Sequence, residues 1–116
     1  PLVDQLKSLG ITIAIETSGC YPLQGDVDWY CFSPKKFKAP CDEAYLRANE
    51  LKVIINHPSD LDWANKHAEK VLDSCHLFLQ PEWSKTEKLL PLIISYVKGN
   101  LKWKISLQTH KYMNIP

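Results

Sequence analysis

The sequence predicts an α/β fold built on a largely parallel sheet. Helical and strand periodicities alternate along the 116 residues, the pattern of strands joined by helical crossovers. Several strand segments, Val53-Ile54-Ile55 among them, are runs of apolar residues, as expected of strands covered on both faces. Polar residues gather where the predicted strands end.

Residues Pro1 to Gly10 read as a helix, with Leu2, Val3, Leu6 and Leu9 at helical spacing and Gly10 as the stop. Ile11 to Ile15 is a β-branched strand that turns at Ser18-Gly19 into the polar loop Tyr21 to Asp26. Val27 to Phe32 is the second strand, closed by Ser33-Pro34 and a basic loop, Lys35 to Lys38. A short helix is predicted over Asp42 to Asn49 and a strand over Leu51 to Ile55. Ser59 is expected to cap a helix starting at Asp60, whose buried stripe is Leu61, Ala64, Ala68, Val71 and Leu72. Leu77 to Leu79 is a strand ending at Gln80-Pro81. Ser84, with Glu87 three residues on, predicts a capping box for a helix that contains Pro91 near its start. That helix runs to about Lys98 and closes at Gly99-Asn100. Trp103 to Leu107 is the last strand, and Gln108 to Pro116 the tail.

Length and composition suit a single domain. The formal net charge is +1, so no electrostatic argument points to nucleic acid or an anionic membrane. The longest apolar stretch, Leu89 to Val97, is interrupted by Pro91, Ser95 and Tyr96 and falls well short of the roughly 20 residues a spanning helix needs. No basic start followed by an apolar segment suggests a secretory signal, and the expectation is a cytoplasmic protein. Cys20, Cys31, Cys41 and Cys75 lack the close spacing of zinc or iron–sulfur ligands. They are expected to be four reduced thiols.

Four polar clusters follow predicted strands: Glu16-Thr17-Ser18-Gly19, Ser33-Pro34-Lys35, Gln80-Pro81-Glu82 and Gln108-Thr109-His110-Lys111. Ligands of parallel α/β folds bind at the carboxyl ends of strands, so the four point to one shared site. The plainer account is that strand ends are polar because they leave the core. Lys35, Lys36 and Lys38 could equally be a solvated basic loop, and Glu16 could make a hydrogen bond within the sheet. His57, His67 and His76 read as surface or boundary histidines. The four tryptophans read as packing residues rather than stacking platforms.

Taken in order, Ile15-Glu16-Thr17-Ser18-Gly19, Trp29-Tyr30-Cys31-Phe32-Ser33-Pro34-Lys35, Asn49-Glu50-Leu51-Lys52, Leu79-Gln80-Pro81 and Ser106-Leu107-Gln108-Thr109-His110-Lys111-Tyr112 resemble the 7-carboxy-7-deazaguanine synthases of the radical S-adenosylmethionine superfamily. The terminal SLQTHKY segment is the most specific piece. The resemblance covers essentially the whole chain and implies the carboxy-terminal half of a partial (β/α)6 barrel, one incomplete domain over residues 1–116. The family's three-cysteine motif for a [4Fe–4S] cluster and its Gly-Gly-Glu-Pro motif are not in this sequence. The cluster and Mg2+ ligands are expected in a front half, and this piece alone is expected to be inactive.

The resemblance also implies a reaction. The cluster reduces S-adenosylmethionine to release a deoxyadenosyl radical, which takes a hydrogen from 6-carboxy-5,6,7,8-tetrahydropterin. The ring contracts with loss of ammonia to 7-carboxy-7-deazaguanine, on the way to queuosine, and Mg2+ assists. By resemblance Thr17, Gly19, Glu50, His110 and the terminal carboxylate of Pro116 contact the pterin. Ser33, Lys35 and Gln80 hold S-adenosylmethionine, and Lys52 is a further anion partner. No residue is assigned a catalytic or metal-ligating role. A homodimer and a reductant such as flavodoxin are implied, with no direct nucleic-acid or membrane partner. Two other readings compete: a non-catalytic α/β module that binds a pterin or nucleotide, and a structural half-barrel whose open sheet edges need a second piece.

Overall fold

A computed structural model describes residue 5 and residues 9–10, 13–22, 25 and 27–107. The predicted first helix falls almost wholly outside the described residues, as do Ile11 and Thr12 and the tail from Gln108. Among the described residues there are five strands: β1 (Ala14–Thr17), β2 (Trp29–Phe32), β3 (Glu50–Ile55), β4 (His76–Pro81) and β5 (Trp103–Ile105). Three helices accompany them: α1 (Asp42–Arg47), α2 (Asp60–Ala68) and α3 (Thr86–Gly99). The sheet order is β1-β2-β3-β4-β5. Pairing is parallel for β1 with β2, β2 with β3 and β4 with β5, which establishes the predicted α/β class.

Contacts divide the chain into two compact units, Pro1–Leu51 with Lys70–His76, and Lys52–Glu69 with Leu77–Pro116. In the first unit, Tyr30, Phe32, Ala44, Tyr45, Ala48 and Leu51 are buried. Phe32 meets Tyr45 edge to face at 5.2 Å between ring centres. Asn49 ties this unit together: its N–H donates to Tyr30 O (2.9 Å), its carbonyl accepts from His76 N (2.9 Å) and its side-chain Oδ1 accepts from Tyr30 N (2.8 Å). In the second unit, Val53, Ile55, Leu61, Ala64, Leu77, Leu79, Leu89, Ile93 and Trp103 are buried. Each large apolar side chain fully buried in this way contributes about 1.5–3 kcal/mol. Trp103 Nε1 donates to Asn65 Oδ1 (3.2 Å), and the Asn65 amide donates to the Tyr96 hydroxyl, so the indole N–H is satisfied where it is buried.

Several local expectations need correction. Ser59 does not cap α2: its backbone is already helical and its side chain makes no capping bond, its hydroxyl lying 2.9 Å from His57 Nδ1. The buried carboxylate of Asp60 instead accepts from Asn56 N (2.8 Å) and His57 N (3.0 Å). Helix α2 stops at Ala68, so Leu72 is half exposed and Val71 only partly covered. His67 is buried rather than at the surface, with its ring edge to face with Trp63. Ser84 is not the cap of α3, because coiling begins earlier in a 3-10 turn at Trp83–Lys85. Glu82 Oε2 accepts from Ser84 N (3.1 Å) and from the Ser84 hydroxyl. Pro91 lies inside α3 on its exposed side, and Asn100 closes the helix with its N–H on Val97 O (3.1 Å).

Gly19 is the tightest point of the first unit. Its φ is +74°, and a Cβ there would lie 2.7 Å from Ala44 Cβ and 2.8 Å from Phe32 Cε1. Substitution Gly19→Ala is expected to cost about 2–5 kcal/mol, adding a left-handed backbone penalty of about 1–2 to overpacking of about 1–3. Gly99→Ala, at a glycine with nothing within 4 Å, is expected to be neutral or stabilising by up to about 1 kcal/mol. Denaturant unfolding of the two variants checks the contrast.

The four cysteines are unbridged, with Cys31 and Cys75 buried. Burial pushes the Cys75 thiol from its ordinary value near 9 up to about 11; the Glu50 carboxylate adds to the rise and a backbone hydrogen bond at Leu51 opposes it. A raised pKa in the folded state means the proton is held more tightly there than in the unfolded chain. The linked stability is therefore whole below about pH 9 and is lost as pH rises through about 11. Stability measured from pH 8 to 11 is expected to fall less steeply in Cys75→Ala than in the parent.

Candidate functional site

β1 ends at Thr17 and β2 at Phe32, and the next residues leave the sheet together because Ser33 N donates to Thr17 O (2.8 Å). Thr17 Oγ1 then accepts from Gly19 N (3.1 Å), curling the chain back over the end of β1. Glu16, Thr17, Ser18, Ser33 and Lys35 line a pocket of about 280 Å³ at these carboxyl ends. Small-molecule sites usually occupy about 300–1,000 Å³, so this pocket suits one polar arm of a ligand.

The pocket's distinguishing group is the Ser33 hydroxyl. Ser33 is 2 % exposed, and its Oγ has no hydrogen-bond partner among the described residues. Buried hydroxyls are nearly always paired, and leaving one unpaired costs about 1–3 kcal/mol. A ligand oxygen or nitrogen entering the pocket would recover that cost. Lys35 sits at the rim, exposed, on the tight turn bridged by Lys35 and Lys38. The basic loop thus presents one of its lysines to the pocket.

Three of the sequence-predicted residues, Thr17, Ser33 and Lys35, are brought together here. Gly19 is adjacent, but its surroundings are already filled. Its N–H serves Thr17, its carbonyl accepts from Cys41 N (2.7 Å) and its open side faces Phe32 and Ala44. Close ligand approach is thus not what demands glycine at this position. Glu50, the first residue of β3, is half-buried, and its Oε2 accepts from Cys31 Sγ at 3.0 Å. In the second unit Gln80 is buried, with Oε1 accepting from Ser106 Oγ (3.2 Å). Lys52 is half-buried on β3. His110 and Pro116 lie outside the described residues.

Sequence reasoning missed Cys31. It occupies the sheet position between Glu16 on β1 and Glu50 on β3, each its register partner. Strand alternation carries a signal for it: Tyr30 and Phe32 share one face of β2, so Cys31 lies on the other, with Trp29. The pairing with Glu50 needs the strand register, which the sequence does not provide.

A second depression, of about 400 Å³, is lined by Trp83, Ser84, Lys85, Thr86, Glu87 and Lys88. These are six consecutive residues, the 3-10 turn and the start of α3, and no strand end contributes. Among the described residues no group of three or more histidines, cysteines and carboxylates could hold a metal ion, and no helix is long and apolar enough to cross a membrane.

No family model matches the chain. Curated proteins do. The 7-carboxy-7-deazaguanine synthase of Flavobacterium psychrophilum is 53% identical over 115 residues, covering 99% of this chain and 55% of that protein. That of Synechocystis is 45% identical over 115 residues, with the same coverage. The crystal structure of QueE from Escherichia coli superposes with a TM-score of 0.81 at 27% identity, over 93% of this chain and 50% of that one. The chain therefore spans about half the length of the relatives it matches. The resemblance read from the strand-end motifs is borne out, and the chain is similar over nearly its whole length to the carboxy-terminal half of the 7-carboxy-7-deazaguanine synthases.

Proposed function

We propose that this chain supplies ligand-binding strand ends of a radical S-adenosylmethionine enzyme, a carbon–nitrogen lyase. That enzyme converts 6-carboxy-5,6,7,8-tetrahydropterin to 7-carboxy-7-deazaguanine with loss of ammonia. The observation that carries the reading is the buried Ser33 hydroxyl, without a partner among the described residues and lining the pocket beside Thr17 and Lys35. The names of the relatives support the same activity.

The residues present fit S-adenosylmethionine. Its ribose hydroxyls and carboxylate are the hydrogen-bonding groups that an unpaired serine hydroxyl can engage, and the Lys35 ammonium adds a complementary charge for a carboxylate. Gln80 is kept as a cofactor-binding residue on the family resemblance alone. Bound there, the cofactor supplies the hydrogen-abstracting chemistry, while the protein positions it and excludes water. Among the described residues no group of three or more histidines, cysteines and carboxylates could hold a metal ion, and on this reading the ligands of the [4Fe–4S] cluster and Mg2+ come from the part of the enzyme that this chain does not span.

On this reading Thr17 and Glu50 receive the pterin. The planar N–H edge of a pterin offers several donors side by side, and a carboxylate accepts them with charge assistance. The Gly19 segment fixes Thr17 in place. His110 and Pro116, which lie outside the described residues, are kept as pterin-contact residues on the family resemblance alone. A cytoplasmic homodimer reduced by a flavodoxin-like partner completes the proposal.

The reading is tested in an enzyme of full family length carrying this chain. Ser33→Ala removes a buried hydroxyl that bonds nothing among the described residues, so its melting temperature is expected not to fall and to rise by up to several degrees. S-adenosylmethionine binding is expected to weaken about tenfold by calorimetry, the worth of one good hydrogen bond. Gln80→Ala is expected to weaken S-adenosylmethionine more than pterin. Unchanged cofactor affinity in Ser33→Ala, or the reverse order of ligands in Gln80→Ala, rejects the assignment.

A further inference from the structure

We propose that Cys31 is a positioning residue for Glu50, its thiol holding the carboxylate ready for the N–H edge of the pterin; the inference rests on the pterin-binding role proposed above for Glu50. Glutamate carries several rotatable bonds, and a half-buried one loses rotamer entropy each time it binds. Any group that fixes it beforehand lowers that cost.

Cys31 is placed to do this. It is the register partner of Glu50 across the β2–β3 pair, so the two side chains rise on the same face of the sheet. The flanking residues Tyr30 and Phe32 serve the packed face, where Phe32 touches Tyr45 and crowds Gly19. Cys31 is 6 % exposed, and its Sγ lies 3.0 Å from Glu50 Oε2. A thiol is a weak donor in water, but toward an ionised carboxylate away from solvent the bond is charge-assisted. Only Oε2 is engaged; Oε1 has no hydrogen bond from the described residues and is left for a ligand donor.

The neighbouring thiol is compatible with this arrangement. Cys75 is raised to about 11 by burial and by Glu50 itself, so at neutral pH it stays protonated and sets no second negative charge beside the carboxylate. A residue needed only to fill space between Glu16 and Glu50 could be alanine or valine. A donor at this position does something those residues cannot.

The test measures pterin and S-adenosylmethionine affinities by calorimetry, with melting temperatures, for Glu50→Gln, Cys31→Ala and Cys31→Ser in an enzyme of full family length. Glu50→Gln is expected to weaken pterin binding about thirtyfold, through loss of the charge. Cys31→Ala is expected to weaken pterin about five- to tenfold, with cofactor affinity unchanged and the melting temperature within about 2 °C. Cys31→Ser, which keeps a donor, is expected to return pterin affinity to within about threefold of the parent. If Glu50→Gln weakens pterin while Cys31→Ala does not, the positioning role is wrong and the role of Glu50 stands. If Glu50→Gln leaves pterin affinity untouched, the reading of Glu50 fails and the inference fails with it. Loss of both ligands in step with the melting temperature, equally in Cys31→Ala and Cys31→Ser, would make Cys31 a packing residue only.

Discussion

The fold depends on a repeated backbone bond at the carboxyl ends of neighbouring strands. Ser33 N donates to Thr17 O, Glu82 N to Ile55 O, and Ser106 N to Leu79 O, each at 2.8–2.9 Å. In every case the residue just past one strand pins a residue at or near the end of the strand beside it. Side chains alternate along a strand with a period of two, so a one-residue slip would turn each of them to the opposite face. These terminal bonds set which polar side chains emerge at a strand end and which stay in the sheet.

Their consequence for the pocket is direct. Backbone groups around Thr17, Gly19 and Ser33 are engaged with one another, so specificity there falls to side chains. Of these, the Ser33 hydroxyl is buried without a partner among the described residues, and a buried polar group left unpaired calls for an explanation. Glycine at position 19 serves the same end from the opposite direction: by allowing Phe32 and Ala44 to close in, it makes the floor of the turn rigid.

The strands and their polar ends were legible because apolar runs bounded by Pro, Gly and Ser have a local cause. Leu51, Val53 and Ile55 are buried, although Ile54, expected to be covered as well, is only half-buried, and α3 closes where Gly99-Asn100 predicts it. Helix starts were less legible. Ser59 and Ser84 have the right chemistry, but Asp60 and Glu82 lie within reach of backbone donors at the same turns and accept them with a full charge. Burial of His67 and exposure of Leu72 follow from a helix that stops at Ala68, a length set by packing rather than by pattern. At the candidate site, Thr17, Ser33 and Lys35 could be named from their place at strand ends. The bond between Cys31 and Glu50 could not, since residues nineteen apart are joined by register.

The first unit is assembled from two separate stretches of chain, closed where the Asn49 carbonyl takes the N–H of His76. The intervening residues Lys52–Glu69 belong elsewhere. During synthesis the early stretch therefore leaves the ribosome with that carbonyl unsatisfied, and the unit cannot be completed until His76 has emerged. Closing such an excursion costs entropy that grows only with the logarithm of its length, so the excursion can lengthen at little cost to this closure, while the asparagine side chain answers a different demand, the N–H of Tyr30.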